Sequence, residues 1–275
     1  MSLFDVTLNS IPLSSLSDKI IVRDILEQPI EQDSYKTNRA MNAGQRVSAI
    51  VRRAMSVRVV YVIRERDPRK RADIQSQIAA WARDGGVLMV NYRTYTDLSQ
   101  GTSLQLHVVL DIPPVQDSAL KWTQDLSMTF TAYNSPYWES TVRYTWNVYT
   151  SYESALGSYI GGQTAYCTGT APHMPVSVTV TNVSSYALQS INIQCGSSRG
   201  QFQFTGLSIA PGETLVIDYD EESGMLQISG AGISVLANRT ADSADDLYMT
   251  PGSNALEIAA NVQVTAQFSY RGLFV

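Results

Sequence analysis

MTFTAYNSPYWES, residues Met128 to Ser140, is the stretch that divides this chain. It opens as a strand. Met128, Phe130 and Ala132 alternate with Thr129, Thr131 and Tyr133, the period-two pattern of a half-buried sheet. The pattern stops on Asn-Ser-Pro. Pro136 cannot donate to a β-ladder, so the strand ends there. Two large aromatics, Tyr137 and Trp138, follow at once.

Composition changes soon after this break. Residues 1–150 hold 17 Lys+Arg and 15 Asp+Glu, a balance of +2, whereas residues 151–275 hold 3 and 10, a balance of −7. All four tryptophans, Trp81, Trp122, Trp138 and Trp146, precede residue 150. A chain of 275 residues is long for one hydrophobic core and comfortable for two. We therefore expect two domains, 1–150 and 151–275. Charged residues make up 16% and hydrophobic residues 44%, the balance of an ordinary globular chain. No window offers the ~20 apolar residues of a membrane helix, so no membrane association is expected. The start, MSLFDVTLNS, lacks a basic region leading into an apolar one, and no secretory signal is expected.

The first part reads as an α+β sheet domain with one helix. Val57, Val59, Tyr61 and Ile63 alternate with Arg58, Val60, Val62 and Arg64. Asp67-Pro68 supplies an N-cap and a first-turn proline. Ile74, Ile78 and Trp81 then make an amphipathic stripe, closed by Gly85-Gly86. Further strands are expected over 87–92, 103–112, 126–132 and 141–150. The polar run from Glu27 to Gln45, interrupted by Pro29 and Gly44, reads as a long loop or an extended hairpin. From Thr164 onward only strand patterns recur, with turn signals between them. Val176, Val178 and Val180 form one such set, and Val262, Val264, Ala266, Phe268 and Tyr270 form the last. The second part is expected to be an all-β sandwich.

Residues that carry chemistry are sparse. His107 sits in an alternating strand and His173 in a loop, neither with a nucleophile motif beside it. Cys167 and Cys195 lie in no ligand cluster and read as buried hydrophobes. No cofactor, metal or catalytic set is expected, and the chain is expected not to be an enzyme. Asp218, Asp220, Glu221 and Glu222 run together as a solvated hairpin tip rather than with the spacing of a calcium loop. Asn182-Val-Ser184 and Asn238-Arg-Thr240 match the glycosylation pattern by residue type alone. Between Arg46 and Arg71 stand nine Lys+Arg against Glu65 and Asp67. That stretch suits a solvated or interface face. Nucleic-acid binding is the other reading, but the net charge of −5 and the lack of a recognition motif oppose it, and no sequence-specific nucleic acid is expected. Seven tyrosines between Tyr133 and Tyr166 suit either a wet junction or sugar stacking.

The order of these parts resembles the distal tail protein of long, non-contractile-tailed phages and related prophage tail components. The carrying features are the arginine-bearing strands from Ala49 to Arg66, the helix with Ile78-Ala-Ala-Trp81, and the strand Leu126 to Ala132 running into Ser135-Pro-Tyr-Trp138. Val216-Ile217-Asp218, the Pro251-Gly-Ser-Asn254 turn and the closing strand Val264 to Phe274 complete it. The resemblance spans nearly the whole chain. It implies a mainly β protein with a ring-forming N-terminal domain and a galectin-like C-terminal β-sandwich. It implies a structural role without catalysis: six copies in a ring that joins the tail tube to the adsorption apparatus or baseplate and leaves a channel for DNA. Partners would be the tail tube protein and the tail-tip hub or receptor-binding proteins, in a virion assembled in the host cytoplasm. Glu27 to Gln45 matches the place of a hairpin that clasps the neighbouring subunit. Arg39, Arg46, Arg52 and Arg53 are the expected ring contacts. Pro136, Tyr137 and Trp138 are the expected domain junction, the two aromatics fixing the angle between domains. A carbohydrate-binding module for cell-wall glycans is the alternative. Against it, a galectin stacks its sugar on tryptophan, and residues 147–275 contain none.

Overall fold

The computed structural model describes residues 5–28, 32–38, 45–52, 54–95, 102–114, 124–133, 135–196, 200–219, 225–244 and 246–274, with the backbone alone for 32–38, 45–52, 91–95 and 102–103. Two compact units divide the chain, residues 1–141 and 142–275.

The first unit holds β1 (Val6–Leu8), β2 (Ile11–Pro12), β3 (Ile20–Glu27), β4 (Gln32–Asn38), β5 (Gln45–Arg52), β6 (Met55–Ile63), one helix, α1 (Pro68–Ala82), β7 (Gly86–Tyr95), β8 (Thr102–Ile112), β9 (Leu126–Ala132) and the start of β10 (Trp138–Tyr149). Its main sheet runs β3-β6-β9-β8-β7-β1-β2 in space, every described pairing antiparallel. Alternation explains the core: Val57, Val59, Tyr61 and Ile63 of β6 and Met128, Phe130 and Ala132 of β9 are buried. Val62, Thr129 and Thr131, which the alternation sets on the opposite face, are buried as well. The end of β6 and most of β9 are therefore covered on both sides, and β9 is not the half-buried strand its pattern suggests.

Helix α1 forms where its caps place it. The Asp67 carboxylate accepts the Arg69 backbone N–H at 2.9 Å, and Pro68 occupies the first turn. Ile74 and Ile78 are buried. Trp81 sets its ring edge-on to Phe130 of β9 at 6.2 Å and donates its indole N–H to the Ile11 carbonyl at 3.0 Å. The stripe therefore lies on the sheet. Gly85, at φ +66°, takes the left-handed conformation that turns the chain from helix into β7.

The second unit takes the rest of β10 and then β11 (Ser151–Glu153), β12 (Ser158–Cys167), β13 (Met174–Asn182), β14 (Leu188–Cys195), β15 (Gly200–Ile209), β16 (Thr214–Tyr219), β17 (Leu226–Gly230), β18 (Ile233–Ser234), β19 (Tyr248–Met249), β20 (Gly252–Ala260) and β21 (Val264–Phe274). Five strands form one sheet, β11-β12-β20-β14-β15. In the other, β18-β17-β16-β13-β21-β10 follow in order and β19 adds to β13. The fold is thus mainly β, a sheet unit with one helix followed by a β-sandwich. Val176, Val178 and Val180 face Phe268 and Tyr270 of β21 in the buried layer, and Phe202 meets Phe204 edge-on at 6.3 Å.

Asparagines staple the loops of the sandwich. Asn182 is fully buried. Its amide N–H groups donate to the Tyr186 and Ile209 carbonyls at 2.7 and 3.0 Å, and its oxygen accepts the Ser184 backbone N–H and hydroxyl. Asn238 donates to the Thr205 and Gly206 carbonyls. Both sequon asparagines spend their amides on backbone carbonyls, Asn182 inside the fold and Asn238 at its half-buried edge. Asn254 does the same in the Pro251-Gly-Ser-Asn turn, donating to Thr250 and Gly252.

Candidate functional site

The strongest feature of the first unit is an arm. β3 and β6 pair from Ile20↔Ile63 to Glu27↔Val57, and the Gln28 N–H donates to the Ser56 carbonyl at 3.0 Å. The same two segments then continue as β4 and β5, paired from Gln32↔Arg52 to Asn38↔Gln45. Among the described residues β4 and β5 pair with no other strand. The described part of the Glu27–Gln45 run is thus one strand of a two-stranded ladder that follows β3 and precedes β6 in sequence. A register shift between Tyr35 and Lys36 gives β5 one extra residue. Arg46 stands opposite Thr37 and Arg52 opposite Gln32. Arg39 and Arg53 lie outside the described residues.

In the rest of the basic stretch Arg58, Arg64, Arg66, Arg69 and Lys70 are exposed, whereas Arg71 is not. The Arg58 guanidinium donates to the Ser127 hydroxyl at 3.0 Å. Arg71 is buried at the start of α1 and donates through Nε and Nη2 to the Glu65 carbonyl at 2.9 and 2.5 Å. It fixes the approach to the helix instead of presenting charge.

At the root of the arm stands Trp138. It is fully buried, while Pro136 and Tyr137 are half-buried. Its indole N–H donates to the Glu27 carboxylate at 3.2 Å, at the last residue of β3. Glu139 next accepts the Gln105 amide at 3.2 Å and lies 4.0 Å from His107 Nε2. Glu139 and Ser140 pair with Gln105 and Leu104 of β8, so β10 begins in this unit before running on into the second. Glu27 escaped sequence reading because its partner is 111 residues away and neither residue carries a local motif.

The titratable residues do not converge. His173 lies against Tyr248 at 4.3 Å, and Asp218 accepts the Ser177 hydroxyl. Asp220, Glu221 and Glu222 lie outside the described residues. Among the described residues no three His, Cys, Asp or Glu come together as a metal site would need, and no helix is long and apolar enough to cross a membrane. Burial pushes the Cys167 thiol up to about 11 and the Cys195 thiol up to about 12, so both are protonated and inert at neutral pH. The tyrosine cluster divides. Tyr144 and Trp146 stack on buried Tyr270 at 5.4 and 5.3 Å, whereas Tyr149, Tyr152 and Tyr166 are exposed.

No protein-family model and no curated protein matches the chain. Solved structures do. The crystal structure of the Dit protein of phage SPP1, described as a paradigm of the hub adsorption apparatus in phages infecting Gram-positive bacteria, is similar over 98% of this chain and 99% of its own, with 10% identity and a TM-score of 0.64. The phage P2 baseplate in its activated conformation with Ca is similar over 98% of this chain and 97% of its own, at 7% identity and a TM-score of 0.45. The same baseplate with Sr gives 8% identity and a TM-score of 0.43 over the same shares. The fold argument rests on the first of the three: from end to end, the chain has the fold of a siphophage distal tail protein.

Proposed function

We propose that this chain is a structural component of a phage tail tip. Six copies form a ring that joins the tail tube to the adsorption apparatus and leaves an open channel for DNA. The tail tube protein and the hub or receptor-binding proteins are its partners, and it works in the virion after assembly in the host cytoplasm. The reading draws on the shared fold with the SPP1 hub protein over both units. One observation within the chain carries it: an arm of two strands that pairs with nothing else described in its own unit. An isolated two-stranded ribbon is marginal in water, so a second surface is needed to hold it. A ring supplies one, because each copy in a closed ring offers two different patches to its neighbours. Arg39, Arg46, Arg52 and Arg53 are the arm's candidate contacts. The test is light scattering after size exclusion, with electron microscopy of the same fractions. The wild type forms six-membered rings, and reversal of these arginines to glutamate leaves folded monomers. A wild type that stays monomeric with its tail partners added overturns the ring.

A further inference from the structure

We propose that the β11 edge of the sandwich is a docking groove for an extended polypeptide segment that sets a lysine or arginine among apolar residues. This rests on the tail-tip reading and adds where the second unit grips another tail-tip protein. Within eight positions Tyr149, Tyr152 and Leu156 are 69%, 59% and 68% exposed. Tyr149 and Leu156 lie on either side of β11, the outermost strand of its sheet, which pairs with β12 alone. Tyr152, within β11, sets its ring against Tyr159 at 5.3 Å instead of lining the groove. Exposed apolar side chains gathered at one place mark an interaction surface more often than scattered ones do. Beside them lies a groove of about 730 Å³, lined by Tyr149, Glu153, Leu156 and Ile160 over the pair Gly161-Gly162.

Each part of the lining narrows the occupant. The floor is bare. A Cβ at Gly161 would run into the Tyr149 carbonyl, whereas one at Gly162 would meet nothing nearer than 3.4 Å. Gly162 therefore leaves open space that a side chain could fill, and a backbone can lie close there. The walls are mostly apolar, with Ser151, Glu153 and the Tyr149 hydroxyl as the polar side groups. A sugar asks for several converging hydrogen-bond groups, which this lining does not assemble. Glu153 makes no ion pair among the described residues. The unit around it holds four cations: Arg143 belongs to β10, Arg239 lies over the Phe202 ring at 5.3 Å, Arg271 belongs to β21, and Arg199 is outside the described residues. None lines the groove. Glu153 is the one charged side chain lining the groove, and the unit's balance of −6 over residues 142–275 favours a partner of the opposite sign.

The test uses the full chain and arrays of short synthetic peptides carrying one lysine or arginine among apolar residues, with matched sets bearing glutamine or glutamate instead. The basic set binds and the acidic set does not. Glu153→Lys, Leu156→Ser and Gly162→Leu, all at exposed positions, each weaken binding by roughly tenfold or more, and Glu153→Lys reverses the charge preference. Circular dichroism of each variant matches the wild type. No binding by any set, equal binding of basic and acidic sets, or binding unmoved by all three variants overturns the groove. So does selective binding of neutral cell-wall glycans that Gly162→Leu abolishes. Ring formation by the same variants keeps the two readings apart. Rings without peptide binding sink the groove alone, and peptide binding without rings sinks the ring alone.

Discussion

The indole N–H of Trp138 donates to the carboxylate of Glu27 at 3.2 Å, across 111 residues of sequence. The bond joins the first residue of β10 to the last residue of β3, where the arm leaves the sheet. Trp138 is also among the largest fully buried side chains. Trp138→Ala should destabilise the chain by about 3–5 kcal/mol. Trp138→Phe keeps most of the apolar volume but leaves Glu27 without this donor, and should cost about 1–3 kcal/mol. Denaturant midpoints at constant m separate the two. A loss below about 0.5 kcal/mol for the alanine variant would deny that the ring fills the core.

Some of this was legible in the sequence. Asp67-Pro68 placed the helix start, and the period-two runs of β6, β13 and β21 placed the buried faces, because caps and alternation act within a few residues. β9 alternates too but is covered on both faces by tertiary packing. The hairpin was legible as an alternative to a loop, since a polar run with a glycine fits both. The Trp138–Glu27 pair was not, because only tertiary packing brings β3 to β10. Nor was the division at 141/142, which falls inside β10: a continuous strand carries no turn or linker to announce it. The basic stretch misled in part. Arg71 counts as charge in a sequence but is spent on the Glu65 carbonyl in the fold.

Asn182 predicts a large effect from a small change. Its four hydrogen bonds hold the loop after β13 to the end of β15, with no solvent exposure. Asn182→Ala removes four bonds from a fully buried position, the one to the buried Ile209 carbonyl included, and should cost about 1–3 kcal/mol. Asn182→Asp should cost at least as much, because a carboxylate would face the Tyr186 and Ile209 carbonyl oxygens. Thermal unfolding and hydrogen exchange of residues 183–188 report it. Unchanged exchange there would show that the loop holds without its staple.

The buried thiols predict an alkaline loss of stability. Folded Cys167 and Cys195 ionise at about 11 and about 12, the unfolded thiols near 9. Between these values the unfolded state has released protons that the native state keeps. Stability is therefore full below about pH 9 and falls as pH rises, by about 1.4 kcal/mol per pH unit for each thiol. Replacing both cysteines with alanine should flatten the fall between about pH 9 and 10, measured against each protein's own value at pH 8. That window lies below the range where Tyr61, Tyr219 and Tyr270, each raised by burial, add their own loss. A thiol reagent at pH 8 should label neither cysteine until the chain unfolds. Rapid labelling of the native protein would contradict their burial.

The arm predicts a separation of folding from assembly. The β3–β6 ladder closes on the Gln28–Ser56 hydrogen bond, and β4 and β5 add no pairing to the rest of the unit among the described residues. Removing residues 30–53 and joining the ends by an Asn-Gly turn, which suits a tight hairpin, should leave the sheet intact. The melting temperature should stay within about 2–4 °C of the wild type, the shift expected for about 1 kcal/mol in a unit of this size. Ring formation should be lost, because one of the two complementary patches has gone. Calorimetry measures the first outcome and electron microscopy the second. A shortened chain that unfolds would make the arm part of its own core. A shortened chain that still forms six-membered rings would move the ring contact off the arm and onto the main sheet of the first unit.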